Sequence, residues 1–356
     1  MDRIRWGLIG TGFAAARRAE AIIQDPRAQL VAVAGRDWHK TQQFCQALPV
    51  SSVPMAAAAP IVTVAVEHWR SLLTRDDIDA IAVCTISSDH AQQTDAILRH
   101  DKHAIVEYPL ALDPQVAQDV LHLARLRDRL LHVEHIELLG GLHRTAIEHL
   151  PSLGTPYYGR YVTLQPKHPA PRRWSYCHAE FGFPFVGALS RVMRLVDLFG
   201  AVARVSASVR DWPAFQERDQ AEAVPEGGYY SSCLAQGVLE FQNGVMAELI
   251  YGKGDRIWNA QNQLEIWGEA GSLRLEPDRG WLLHDQTRHD IPVSGRRGLF
   301  ARDTAEVIAA LLDGTPLYVQ PEQSLYALEV AEGLRRSAQG GEWLTIEAKP
   351  PSTLTA

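Results

Sequence analysis

The chain has 356 residues, enough for two domains that each bury a core of their own. A formal charge of −7 at pH 7, with 46% hydrophobic and 22% charged residues, excludes a disordered or fibrous chain and argues against a general nucleic-acid binder. Its longest apolar stretch, Val53 to Val66, is interrupted by Pro54 and Pro60 and falls short of the roughly 18 residues of a spanning helix.

The first residues run straight into an apolar strand with no signal-peptide pattern, so a cytoplasmic protein without membrane or nucleic-acid partners is expected. In chain order the pattern predicts a strand at Ile4–Ile9, a helix at Ala14–Gln24 and a strand at Leu30–Gly35. Further strands follow at Ile78–Cys84, His103–Glu107 and Leu131–Ile136, separated by helices at Asp89–Arg99 and Pro114–Arg129. Short apolar strands alternating with amphipathic helices predict parallel βαβ units.

From about Val205 the pattern changes to strands joined by turns. Val238–Phe241 and Val245–Tyr251 flank Gln242-Asn243-Gly244, which predicts a hairpin with a type I′ turn. Leu264–Trp267, Ser272–Leu275, Trp281–His284 and Asp290–Val293 extend this sheet, and helices at Arg302–Leu312 and Gln323–Ser337 complete it. The expected class is α/β. A doubly wound parallel sheet occupies residues 1–135, and residues 136–356 form an α+β domain with a large, mostly antiparallel sheet.

Cys45, Cys84, Cys177 and Cys233 are scattered and read as reduced thiols rather than disulfides or zinc ligands. His132 and His135 lie three apart in a strand, where side chains point to opposite faces, so no metal site is expected.

Gly10-Thr11-Gly12-Phe13-Ala14-Ala15 is a G-x-G-x-x-A run between the first strand and the first helix. Gly10 permits the tight turn, Gly12 lets the backbone approach a pyrophosphate, and Ala15 keeps helix and strand close. The helix N-terminus attracts the phosphates. An NAD enzyme usually carries an acid at the end of the second strand. Here Arg36 stands there with Lys40 close behind, which favours a 2′-phosphate and hence NADPH over NADH. Asp37 is the competing residue, able to turn toward the ribose instead. Thr85 follows the third predicted strand, and Glu107-Tyr108-Pro109 ends the strand that approaches the nicotinamide.

The order GTGFAAA, DDIDAIAVCT, VEYPLAL and then an antiparallel sheet resembles the glucose–fructose oxidoreductase / inositol dehydrogenase (Gfo/Idh/MocA) family over nearly the whole chain. That family carries E-K-P where this chain has Glu107-Tyr108-Pro109. Its helix motif D-x-G-x-H-x-x-D, aligned on Asp197, places Ser190 and Arg194 at the aspartate and histidine. Arginine does not act as a base near neutral pH, so a standard sugar dehydrogenase is disfavoured. By the same resemblance the Tyr108–Pro109 bond is expected to be cis.

The replacements resemble one branch, the biliverdin reductases of cyanobacterial type. Matching segments are VEYPLAL (106–112), LLHVEHIELLGG (130–141), FGFPFVGALSR (181–191), DLFG (197–200), IYGKG (250–254), RRGLF (296–300) and LYALEVA (325–331). Segment 49–66 is longer and richer in alanine than that branch leads one to expect. The resemblance implies hydride transfer from NADPH to the C10 methine carbon of biliverdin, giving bilirubin. Arg191 is implied as the residue most important to the chemical step, with Tyr108 the alternative proton donor.

A flat tetrapyrrole with two propionates wants aromatic faces and cations. Trp174, Phe183, Arg172, Arg191, Arg194 and Lys253 are the candidate substrate contacts. The open face of the second sheet, used for assembly in many family members, is expected here to hold substrate, so a monomer is preferred. Alternatives are a reductase of the same fold acting on a carbonyl, sugar-type or other conjugated substrate, and a cofactor-binding regulator without turnover.

Overall fold

A computed structural model describes residues 3–49, 63–214 and 228–351, so most of segment 49–66 lies outside the described residues. The chain divides into two compact units. In the first, β1 (Ile4–Ile9), α1 (Phe13–Gln24), β2 (Ala28–Ala34), α2 (Trp38–Ala47), β3 (Val64–Val66), β4 (Ala80–Val83), α3 (His90–Arg99), β5 (His103–Glu107), α4 (Pro114–Leu126) and β6 (Leu131–Glu134) follow in order. The six strands form one parallel sheet in the order β3-β2-β1-β4-β5-β6. This is the doubly wound arrangement, whose ligands sit beyond the carboxyl ends of the strands. Trp6, Leu8, Ala80 and Ala82 on one face and Ile9, Ile81 and Val83 on the other are buried, because helices cover both faces of such a sheet. Sequence patterning missed α2: its mostly polar residues leave only Thr41 buried.

The second unit begins with α5 (Gly141–His149) and β7 (Pro156–Pro166). Two single turns follow, α6 (His178–Phe181) and α7 (Pro184–Gly187), and then α8 (Ser190–Phe199). Strands β8 (Val202–Pro213), β9 (Tyr230–Phe241), β10 (Met246–Gly254), β11 (Gln261–Gly268), β12 (Gly271–Leu275), β13 (Arg279–His284) and β14 (Thr287–Pro292) come next. The chain closes with α9 (Leu299–Asp313), α10 (Pro321–Gly340) and β15 (Leu344–Thr345). The sheet order is β14-β13-β12-β11-β7-β10-β9-β8-β15, antiparallel except for the parallel β7–β10 pair. Among the described residues no helix is long and apolar enough to cross a membrane.

Two sequence readings are corrected. The β9–β10 turn is not type I′, because Asn243 is absent from the positive-φ residues. Instead Gly244 N–H closes a turn on the Phe241 carbonyl at 3.0 Å, with Gly244 alone in the left-handed region at φ 90°. Asn243 is held by donating to the Phe199 carbonyl at 3.0 Å and accepting from Val245 N–H. The I′ signature falls between β13 and β14, where Asp285 (φ 48°) and Gln286 (φ 59°) both adopt positive φ.

The cut near residue 135 falls at the boundary between Ile136 and Glu137, and the second correction concerns α9. Residues 298–321, including α9, group with the first unit. Val307 and Ile308 of α9 join Ala15, Ala19 and Ile22 of α1 in that unit's core.

Candidate active site

The glycine-rich turn has the shape a dinucleotide requires. Gly10 sits at φ 122°, and a Cβ there would collide with the Cys84 carbonyl oxygen. A Cβ on Gly12 would meet no protein atom within 4 Å, so space is open above the loop. Gly12 is the N-cap of α1, and neither a side-chain cap nor an acidic residue occupies that helix end. Phe13 is largely exposed and Ala15 fully buried. These residues fit a pyrophosphate on the helix N-terminus.

Arg36 is exposed, and Lys40 lies 3.8 Å from the Asp37 carboxylate. Asp37 caps α2 by accepting from Lys40 N–H at 3.0 Å, and this bond draws its carboxyl below the usual range. Its carboxylate is thereby committed to the helix, which leaves Arg36 as the cation at the strand end. Thr85 donates to Gln93 Oε1 at 2.7 Å.

The Tyr108–Pro109 bond is cis, as expected. The Tyr108 ring stacks on His135, with centroids 5.3 Å apart and planes at 8°. Burial, and then His132, hold His135 down to about 3, so it is neutral. His132 Nε2 meets Asp303 at 2.7 Å, and among the described residues no group of three or more His, Cys, Asp or Glu is placed to hold a metal.

Sequence reading missed a buried charge cluster beneath this edge. Arg18 is 1% exposed on the face of α1 that carries Ala15, Ala19 and Ile22, and that helical spacing was the available signal. Its guanidinium pairs with Asp303 of α9, donates to Thr304 at 2.9 Å and to Glu134 at 3.4 Å, and lies 3.9 Å from Glu107. Burial opposes the charge on Arg18, but the carboxylates of Asp303, Glu134 and Glu107 outweigh it and raise its pKa. Burial and the neighbouring Glu107 push Glu134 well above the carboxylate range.

In the second unit, Arg191 and Arg194 project from the same face of α8 onto alternate residues of β7. Arg191 Nε is 3.4 Å from Thr163 Oγ1, Nη1 donates to Ser190 at 2.9 Å, and the guanidinium lies 5.4 Å from the Tyr251 ring centre. Arg194, 1% exposed, lies 5.0 Å from the Tyr161 ring centre and bonds the Glu137 carbonyl at 3.4 Å. Its Nε and Nη1 have no hydrogen-bond partner.

A cleft of about 570 Å³ opens on this face, lined by Arg191, Thr163, Gln165, Tyr161, Glu137, Arg279 and Arg296 among others. It is thus on the helix-bearing side of the sheet, not the open side expected to hold substrate. Glu137 is clamped between Arg194 and Arg296, and Arg279 donates to Glu276 at 2.8 Å. Sequence reading did not single out Arg279, Arg296 or Glu137.

The remaining candidates gather elsewhere. Arg172, Trp174, Phe183, Arg194 and Lys253 do not line this cleft. Arg172 is exposed; Trp174 packs on Phe181 with centroids 5.9 Å apart, and Phe183 on Phe185 at 6.2 Å. Lys253 is 5% exposed, with Nζ 3.6 Å from the Phe181 ring centre and 4.9 Å from that of Tyr176, and it donates to the Ser175 carbonyl. Burial brings its amine down to about 7. It fastens segment 174–181 to β10 rather than standing free for a propionate.

Two family models match. One, an oxidoreductase family with an NAD-binding Rossmann fold, covers residues 4–135, and its C-terminal alpha/beta domain covers 151–346. The chain belongs to the Gfo/Idh/MocA oxidoreductase family. Like other members it is an NAD(P)H-dependent oxidoreductase, and its first unit holds the nicotinamide cofactor. A crystal structure of biliverdin reductase from Synechocystis sp. PCC 6803, in complex with biliverdin and NADP+, superposes with a TM-score of 0.85 at 39% identity, over 94% of this chain and 99% of that one.

Mouse biliverdin reductase A is 28% identical over 274 residues, 74% of this chain and 77% of the mouse protein. A dTDP-3,4-didehydro-2,6-dideoxy-alpha-D-glucose 3-reductase from Actinomadura kijaniata is 32% identical over 285 residues, 76% of this chain and 74% of that protein. In this Gfo/Idh/MocA member α8 presents Arg191 and Arg194 to β7.

Proposed function

We propose that this chain reduces the C10 methine bridge of biliverdin with NADPH to give bilirubin. The observation that carries this reading is the head of α8. Arg191 faces a cleft there, while Ser190, Arg194 and Tyr108 stand at the family's proton-transfer positions. The 39% identity to a biliverdin-bound reductase over 94% of the chain supports it. When bound, the nicotinamide supplies a hydride from C4.

C10 of the bilin receives that hydride and a pyrrole nitrogen takes a proton, so the pigment gains two hydrogens, one at the bridge carbon and one on nitrogen. Arg191 orients the tetrapyrrole and stabilises its charge as it is reduced; a permanently cationic guanidinium suits this better than proton donation. Tyr108 is the alternative proton donor. Arg36 and Lys40 hold the 2′-phosphate, which favours NADPH over NADH. Arg279 and Arg296, 73% and 65% exposed at the cleft, receive the propionates. The same reading takes the enzyme to be monomeric and cytoplasmic; light scattering checks the first.

Incubation with NADPH and biliverdin should bleach the green pigment and yield bilirubin. Absence of turnover with any bilin sinks the reading. Biliverdin dimethyl ester separates the anchors from the chemistry: Arg279→Ala with Arg296→Ala should raise KM for the diacid but not for the ester. A second reading, a keto-sugar reductase, draws on the 32% identity to the Actinomadura enzyme. NADPH oxidation with dTDP-keto-sugars but not with bilins would establish it.

A further inference from the structure

The carboxyl groups of Glu107 and Glu134 end adjacent parallel strands, paired in register, and both reach the same nitrogen of Arg18, at 3.9 and 3.4 Å, while that cation makes its close ion pair with Asp303. Two carboxyl groups crowded on one already paired cation, away from water, hold one proton between them and leave one negative charge. Two features place that charge on the Glu107 side. The Cys84 thiol, kept neutral by burial, donates to Glu107 Oε1 at 3.7 Å. Glu134 is 1% exposed, whereas the Glu107 side chain retains 18% exposure at the strand end. Arg18, the cation beneath, acts the other way, lying 3.4 Å from Glu134 and 3.9 Å from Glu107, but its close ion pair is with Asp303. His135, next along the chain, is neutral and adds no positive charge.

Glu107 therefore presents negative charge at the carboxyl edge of the sheet, where a doubly wound fold holds its ligand. Loss of a hydride turns the neutral dihydronicotinamide into a cation, and the rest of the cofactor is the same in both forms. We propose that the Glu107–Glu134 pair, sharing one proton above the Arg18–Asp303 ion pair, is an electrostatic selector that stabilises the oxidised nicotinamide and so drives reduction of the bound substrate. Its role is to bias the cofactor, and it is independent of which substrate is reduced.

Binding of NADPH, followed by its fluorescence, and its displacement by NADP+ give both dissociation constants without turnover. The unaltered protein should hold NADP+ at least as tightly as NADPH. Glu107→Gln removes the charge and keeps the shape, and should weaken NADP+ on the order of tenfold while NADPH changes less than about twofold. Glu107→Asp keeps the charge and most of the preference. Glu134→Gln imitates the protonated partner and should leave the ratio of the two constants within about twofold. The proposal is overturned if Glu107→Gln moves both constants equally or neither, or if Glu134→Gln moves the ratio as far. Should Glu107→Gln fail to fold, the unaltered protein decides: NADPH held more than about tenfold tighter than NADP+ overturns it.

Discussion

The proposed cofactor and substrate specificities rest on single side chains. Arg36 stands two residues beyond β2, and the neighbouring Asp37 is committed to capping α2. Arg36→Ala should raise KM for NADPH far more than for NADH, a loss on the order of 2 kcal/mol of charge-assisted pairing. Equal effects on both cofactors would end the 2′-phosphate assignment. Arg191 and Arg194 share a helix face but not an environment: the first lines the cleft, and the second is buried over Tyr161. Arg191→Ala is expected to lower kcat by two to three decades, roughly 3–4 kcal/mol, with NADPH affinity nearly unchanged. A rise in KM for biliverdin with kcat preserved would make Arg191 an anchor instead, and Tyr108 the residue to test next. Arg194→Ala should cost on the order of 2 kcal/mol of stability, read by denaturation, and much less turnover.

At the scale of elements, segment 174–181 is held to the sheet through Lys253 inside a ring of Phe181, Tyr176, Tyr230 and Tyr251. A buried ammonium is costly, and burial lowers this amine from 10.5 to about 7. Between those pH values the unfolded chain binds more protons than the folded one, so this group makes stability rise with pH through that interval. Lys253→Met should remove that slope while keeping the packing. Urea midpoints measured across the interval check it, and an unchanged slope would mean that the amine is charged in the fold.

For the molecule as a whole, the first unit is not a continuous stretch of sequence. Arg18 of α1 needs Asp303 of α9, and the apolar face of α1 needs Val307 and Ile308. Residues 1–136 alone would bury Arg18 without its main partner, a loss of about 3–5 kcal/mol, and would leave core surface bare. Such a fragment is expected not to fold cooperatively. The same fragment joined by a flexible linker to residues 298–321 should show a single melting transition and bind NADPH. Cooperative folding of the shorter fragment would show α9 to be dispensable.

The sequence by itself determined the fold class, the glycine turn and the arginine at the end of β2. These are local properties: period-two and period-3.6 patterning, a turn between a strand and a helix, and one residue at a strand end. The replaced acid–base positions on α8 were legible for the same reason, as a motif at fixed spacing. Tertiary structure alone decided what spans long separations, since no local pattern couples such positions. Arg18 meets Asp303 across 285 residues. The cleft draws Glu137, Arg191, Arg279 and Arg296 from four separate parts of the chain. Lys253 looked like a free cation until the fold wrapped aromatic rings around it, because sequence shows a charge but not its burial.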